Sequence, residues 1–176
     1  MDLSAFYGAF SPACFALLGL WLVAVQVRLR EWEGDEQRRR RSYGVALHFA
    51  LPGLMSMLAL IDLRTSVFWR VSFIIVALSG AVVMASVRGY PVAPGRDHAG
   101  LRGLPAADRL GLAAYVAAIV LYLLIGVLAV VGGLDALRTE AVLQTVLVFL
   151  GFNVAWLLLL DDRKPAQHSW PSAKAE

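Results

Sequence analysis

The sequence predicts an all-α, polytopic membrane protein with five transmembrane helices, and three observations carry that prediction. Of 176 residues, 59% are apolar or aromatic and only 16% are charged, against about 25% charged in soluble chains. The apolar residues fall into five uninterrupted runs, each long enough to cross roughly 30 Å of hydrocarbon at about 1.5 Å of rise per residue. These runs do not alternate, so they are not barrel strands, and a backbone in lipid must satisfy its own hydrogen bonds as a helix.

Taken in order, the predicted spans are residues 5–27, 44–63, 67–87, 111–133 and 141–160, within a single transmembrane domain covering 1–176. The first follows Met1-Asp2-Leu3-Ser4, where a secretory signal would place basic residues, so it is expected to be a permanent span. Arg64-Thr65-Ser66 leaves room only for a tight hairpin between spans two and three, and residues 134–140 do the same for spans four and five. The longer connection, residues 88–110, is rich in proline and glycine and reads as an irregular cytoplasmic loop, with residues 161–176 as a cytoplasmic tail.

Thirteen of the 16 Lys and Arg residues flank one side of the spans, including Arg28, Arg30 and the run Arg38 to Arg41, while Arg64, Arg70 and Arg138 flank the other. The bias predicts an external N-terminus and a cytoplasmic C-terminus. Tyr7, Phe68 and Trp69 then fall at the outer boundary, and Trp21, Tyr43, Tyr90, Tyr115 and Trp156 near the inner one. The preference for arginine over lysine in an Ala-, Leu-, Val- and Gly-rich chain points to a bacterial source, so the expected location is a bacterial inner membrane. The net charge of +3 is dispersed in short connections, and no nucleic-acid partner is expected.

Span two concentrates the chemistry. His48, Pro52, Met55, Ala59 and Asp62 recur at intervals of four and three and so share one helix face. Pro52 deprives the His48 carbonyl of its helical donor, which creates a polar spot inside the membrane. His48 and Asp62 are separated by about 21 Å of helix rise. They fit a proton or ion path, or alternatively a packing kink with a bridging histidine and a water-facing aspartate. Arg70 faces the same way as Ala77 and Ala81, towards protein, and is expected either to pair with Asp62 or, with Glu140 and Arg64, to form an electrostatic gate. Asn153 in span five sits at the depth of His48, as interhelical glue or as a pathway residue. In span one, Gly8, Pro12, Gly19 and Gln26 lie along one side and fit either a cavity lining or close helix packing. Tyr115 and Tyr122 give span four a structural face.

One cysteine, Cys14, permits no intrachain disulfide. No catalytic triad, metal-ligand motif or paired intramembrane histidine for haem is present in the sequence, so neither enzymatic activity, metal nor cofactor is expected. Arg38, Arg39, Arg40 and Arg41 abut a span and either set topology or attract anionic lipid headgroups. The function these residues predict is a small channel or transporter protomer for protons or small ions, acting as a homo-oligomer in the lipid bilayer. Its pathway candidates are His48, Pro52, Asp62, Arg70 and Asn153. The alternative is a non-conducting accessory or scaffold subunit that binds another membrane protein.

Overall fold

A computed structural model describes residues 2–30, 32, 35–61, 66–88, 106–132 and 136–160, apart from the side chains at 37, 66, 88 and 106–109. Every described element is an α-helix: α1 (Leu3–Arg28), α2 (Glu36–Ile61), α3 (Ser66–Arg88), α4 (Ala106–Val131) and α5 (Ala136–Leu160). All five are long and apolar enough to cross a membrane, and the chain is a multi-pass membrane protein. Large apolar side chains cover the outside of the bundle: Leu20, Val131 and Phe149 are among the most exposed, as lipid-facing positions require. Residues 89–105 and 161–176, which hold the expected cytoplasmic loop and tail, lie outside the described residues.

Helices α2, α3, α4 and α5 form a closed ring in which each packs against the next and α5 returns to α2. The short connections from α2 to α3 and from α4 to α5 favour antiparallel neighbours in this arrangement. Helix α1 lies outside the ring, packed along α2 and touching α5. The predicted Gly8, Pro12, Gly19 and Gln26 side of α1 therefore neither lines a cavity nor packs within the chain. All four residues are exposed, and no neighbour comes within 4 Å of a Cβ placed at Gly8 or Gly19. Its inward side is Tyr7, Ser11, Cys14 and Trp21.

Helix starts follow their caps. The Asp2 carboxylate accepts from the Ser4 and Ala5 amides at 3.0 and 3.3 Å, and Asp35 accepts from the Arg38 amide at 3.0 Å, satisfying donors that a first helical turn leaves free. The hydrogen bond from the Ser4 hydroxyl and those from the two amides hold the Asp2 carboxyl below its ordinary range. At the arginine-rich end Trp32 is buried against Trp21, Val45, Phe49 and Leu158, and Trp21 Nε1 donates to the Ser42 carbonyl at 3.0 Å.

Inside the ring, glycines admit large side chains from facing helices. Gly80 lies against the ring of Tyr122, Gly44 against Tyr115, and Gly151 against His48. Ala77 packs towards Gly126, so the small-residue ridge below Arg70 is where α3 approaches α4, as membrane helices lacking a hydrophobic drive between them require.

Candidate functional site

The predicted face of α2 is a buried face. His48, Met55 and Ala59 have no exposed surface, and Pro52 is buried with them. Asp62 lies outside the described residues. His48 Nδ1 is 2.8 Å from the Gly44 carbonyl of its own helix, which leaves Nε2 buried without a hydrogen-bond partner among the described residues. The imidazole meets Tyr115 edge to face at 6.4 Å between centroids, and the Tyr115 hydroxyl reaches the Arg41 carbonyl at 3.5 Å.

Two turns further along α2, Ser56 Oγ lies 2.8 Å from the Pro52 carbonyl and 3.0 Å from Gln144 Oε1. One hydroxyl proton cannot serve both acceptors at once. Turning the Gln144 amide end for end lets its nitrogen donate to Ser56 while Ser56 donates to Pro52, at little steric cost. In that orientation Gln144 Nε2, which otherwise has no partner among the described residues, donates to Ser56. Ser56→Ala removes the link between α2 and α5. The expected cost is about 0.6 kcal/mol, and at most roughly 1.7 kcal/mol, as for interhelical hydrogen bonds in membranes; the midpoint of unfolding in mixed micelles measures it.

One turn from Gln144 on α5 is Glu140, fully buried, with neither carboxylate oxygen hydrogen-bonded among the described residues. It lies within electrostatic reach of Arg70 and of the Tyr7 hydroxyl. Tyr7 donates to the Leu137 carbonyl at 3.1 Å, fastening α1 to the first turn of α5. Arg70 donates to the Gly132 carbonyl at the end of α4 and lies 5.6 Å from the Trp69 ring centroid. Its Nε, together with Trp69 Nε1 and the Tyr122 hydroxyl, is buried without a partner among the described residues.

These groups form a polar file inside the helix ring. It runs from Arg70 and Glu140 at one end, through Gln144 and Ser56, to His48 and Tyr115 towards the arginine-rich end. Most buried polar groups in proteins have partners, whereas seven side-chain polar atoms among the described residues here have none. Around them the interior is filled by Met55, Phe73, Ile125 and Leu147, all without exposed surface. No three His, Cys, Asp or Glu residues among those described gather as metal ligands.

Three expectations change. Glu140, placed by sequence in a connection, is inside α5, because that helix begins at Ala136. Arg70 does turn towards protein, but the acid described beside it is Glu140. Asn153 is exposed on the outside of the ring, where its Nδ2 donates to the Phe149 carbonyl at 2.7 Å, so it does not join the polar file. Among the four arginines, Arg38 Nε pairs with Asp35 at 3.2 Å and Arg40 Nη2 with Glu36 at 2.6 Å. Comparison with family models, with curated proteins and with solved structures finds no match for this chain.

Proposed function

We propose that the protein carries protons across the membrane through the interior of a single helix ring, with Glu140 and His48 as the titrating groups. The observation that carries this reading is the buried polar file, with atoms at Glu140, Gln144 and His48 that have no hydrogen-bond partner among the described residues. Carboxyl, amide, hydroxyl and imidazole groups can each pass or orient a proton. A filled interior suits a proton, which moves by exchange of hydrogen bonds, better than a hydrated ion, which needs a lumen. Ser56 and His48 stand two helical turns apart, about 12 Å along α2, so in this mechanism the gap is crossed by a short chain of waters admitted when the filled interior opens transiently. Arg70 beside Glu140 repels metal cations without hindering neutral proton exchange. The cation bias supports an orientation with Glu140 and Arg70 at the outer face of a bacterial inner membrane and His48 towards the cytoplasm.

A file inside the ring of one chain needs no partner, so this reading holds for a monomer or for each protomer of an assembly. The test is purified protein in liposomes with a trapped pH dye, energised by a potassium gradient and valinomycin. Proton influx without passage of sodium or chloride is expected. No proton flux from protein shown to be helical and inserted overturns the proposal, and equal flux of sodium replaces it with an aqueous pore. In the same assay His48→Gln, which keeps a hydrogen-bonding side chain but does not titrate near neutral pH, is expected to slow influx about tenfold or more. Asn153→Leu, on the outside of the ring, is expected to leave it unchanged.

The accessory-subunit reading has one observation in its favour, the exposed small-residue side of α1. Gly8 and Gly19 would let another transmembrane helix approach closely. That reading expects stoichiometric co-purification with a second membrane protein and no flux from the isolated chain.

A further inference from the structure

A shallow groove of about 360 Å³ opens between the start of α2 and the end of α3 at the arginine-rich end. Its α2 wall is Glu36, Arg39, Arg40 and Tyr43, and its α3 wall includes Val83 and Val87. The volume falls within the roughly 300–1,000 Å³ of small-molecule sites. Its position is at the level where a span meets the headgroup region, since the arginine run forms the first turn of the membrane-crossing stretch of α2, Arg38–Ile61. Tyr43 is 59% exposed and stands where interfacial aromatic residues anchor a helix. The groove therefore sets a cationic wall on α2 against Val83, Ser86 and Val87 on α3.

We propose that this groove is a binding site for one anionic phospholipid, its phosphate held by Arg39 and Arg40 and an acyl chain lying along Tyr43, Val83 and Val87. Charge complementarity identifies the occupant. A zwitterionic lipid brings a compensating cation to the same arginines, and a soluble anion leaves the valine wall uncovered. Of the arginine run, Arg38 is turned to Asp35, whereas Arg39 and Arg40 line the groove. Glu36 sets the strength of the site. Its carboxylate accepts from Arg40 Nε and Nη2 at 3.2 and 2.6 Å, and that bond holds its acid below the ordinary range. Glu36 is therefore ionised at neutral pH and offsets Arg40, so that Arg39 supplies the net attraction and Arg40 a shared guanidinium. The lipid site is independent of proton movement and stands or falls separately from it.

The test is competitive retention of phosphatidylglycerol over phosphatidylcholine of identical chains, read by native mass spectrometry of the full-length protein released from mixed nanodiscs. Wild type is expected to retain phosphatidylglycerol preferentially. Arg39→Gln should lower that preference about fivefold, the worth of one cation near a membrane surface. Glu36→Gln should raise it by a similar factor by removing the one carboxylate charge that lines the groove. Val83→Trp, which fills the apolar wall and changes no charge, should abolish it, while Arg138→Gln at the other end of the bundle should leave it unaltered. Equal retention of the two lipids overturns the proposal. So does loss of preference in Arg138→Gln as large as that in Arg39→Gln, which marks diffuse charge. Because Arg39 and Glu36 are exposed, their variants test the site even if Val83→Trp does not fold. Displacement by free glycerol 1-phosphate as complete as by the lipid also overturns it, in favour of a soluble anion.

Discussion

Glu140→Gln is expected to lower proton influx into liposomes at least about 100-fold, the usual contribution of a positioned proton donor or acceptor. Glutamine has nearly the shape of glutamate and fits the fully buried site, but it cannot release or bind a proton in the physiological range. Glu140 is the acid at the Arg70 end of the file, adjacent by one helical turn to Gln144, which in turn contacts Ser56. Among the described residues no other carboxylate occupies the ring interior. Glu140→Asp keeps the titrating group and withdraws it by one methylene, and should recover part of the influx. Helical content and insertion should match wild type in both variants, since Tyr7 still donates to the Leu137 carbonyl and Arg70 to that of Gly132. Undiminished influx in Glu140→Gln, measured with the pH dye, removes this residue and the proposed file from the mechanism.

Gly151→Ala should be the most damaging glycine substitution at the contact of α2 with α5. A Cβ at this position would lie 2.4 Å from His48 Cβ and 3.1 Å from its Cγ. His48 Cβ is fixed to the backbone of α2 and cannot rotate away, so α2 and α5 must separate. Overpacking of this kind costs about 1–3 kcal/mol, which outweighs the roughly 1 kcal/mol that alanine gains over glycine in helix propensity. The Gly80 contact, with Tyr122 ring atoms at 2.8–2.9 Å, is more forgiving because an aromatic ring can tilt. Gly8→Ala, with nothing within 4 Å, is the control and should be neutral or slightly stabilising. Unfolding in mixed micelles measures all three, and His48→Gly combined with Gly151→Ala should restore part of the loss by returning the space. Additive losses in that pair would show that the two residues do not share the contact.

Sequence reached the spans because hydropathy is additive along the chain, and it reached the inner face of α2 because spacings of three and four residues mark one side of a helix whatever it packs against. His48, Pro52, Met55 and Ala59 are buried together for that reason. Arg70 was legible through the alanines below it. Glu140 was not, because an acid after Arg138 and Thr139 reads as connection until α5 is seen to begin at Ala136. Asn153 carried a usable signal that depth alone concealed. At about 100° per residue it stands roughly 180° around the helix from Gln144, so only one of the two could face inward. The interior line of Ala141, Gln144, Leu147 and Gly151 decides in favour of Gln144.

By itself, then, the sequence determined an all-helical, five-span membrane protein and the side of α2 that turns away from lipid. Both follow from local composition and helical period. Only the tertiary structure decided that four helices close into a ring with α1 outside, that Glu140, Gln144, Ser56 and His48 from two antiparallel helices form one polar file, and that Asn153 faces outward. Those facts depend on which helix meets which and at what rotation. In a membrane that choice is made by close contacts such as Gly151 on His48 and Gly80 on Tyr122, since lipid is as apolar as the helices themselves and burial alone selects no partner.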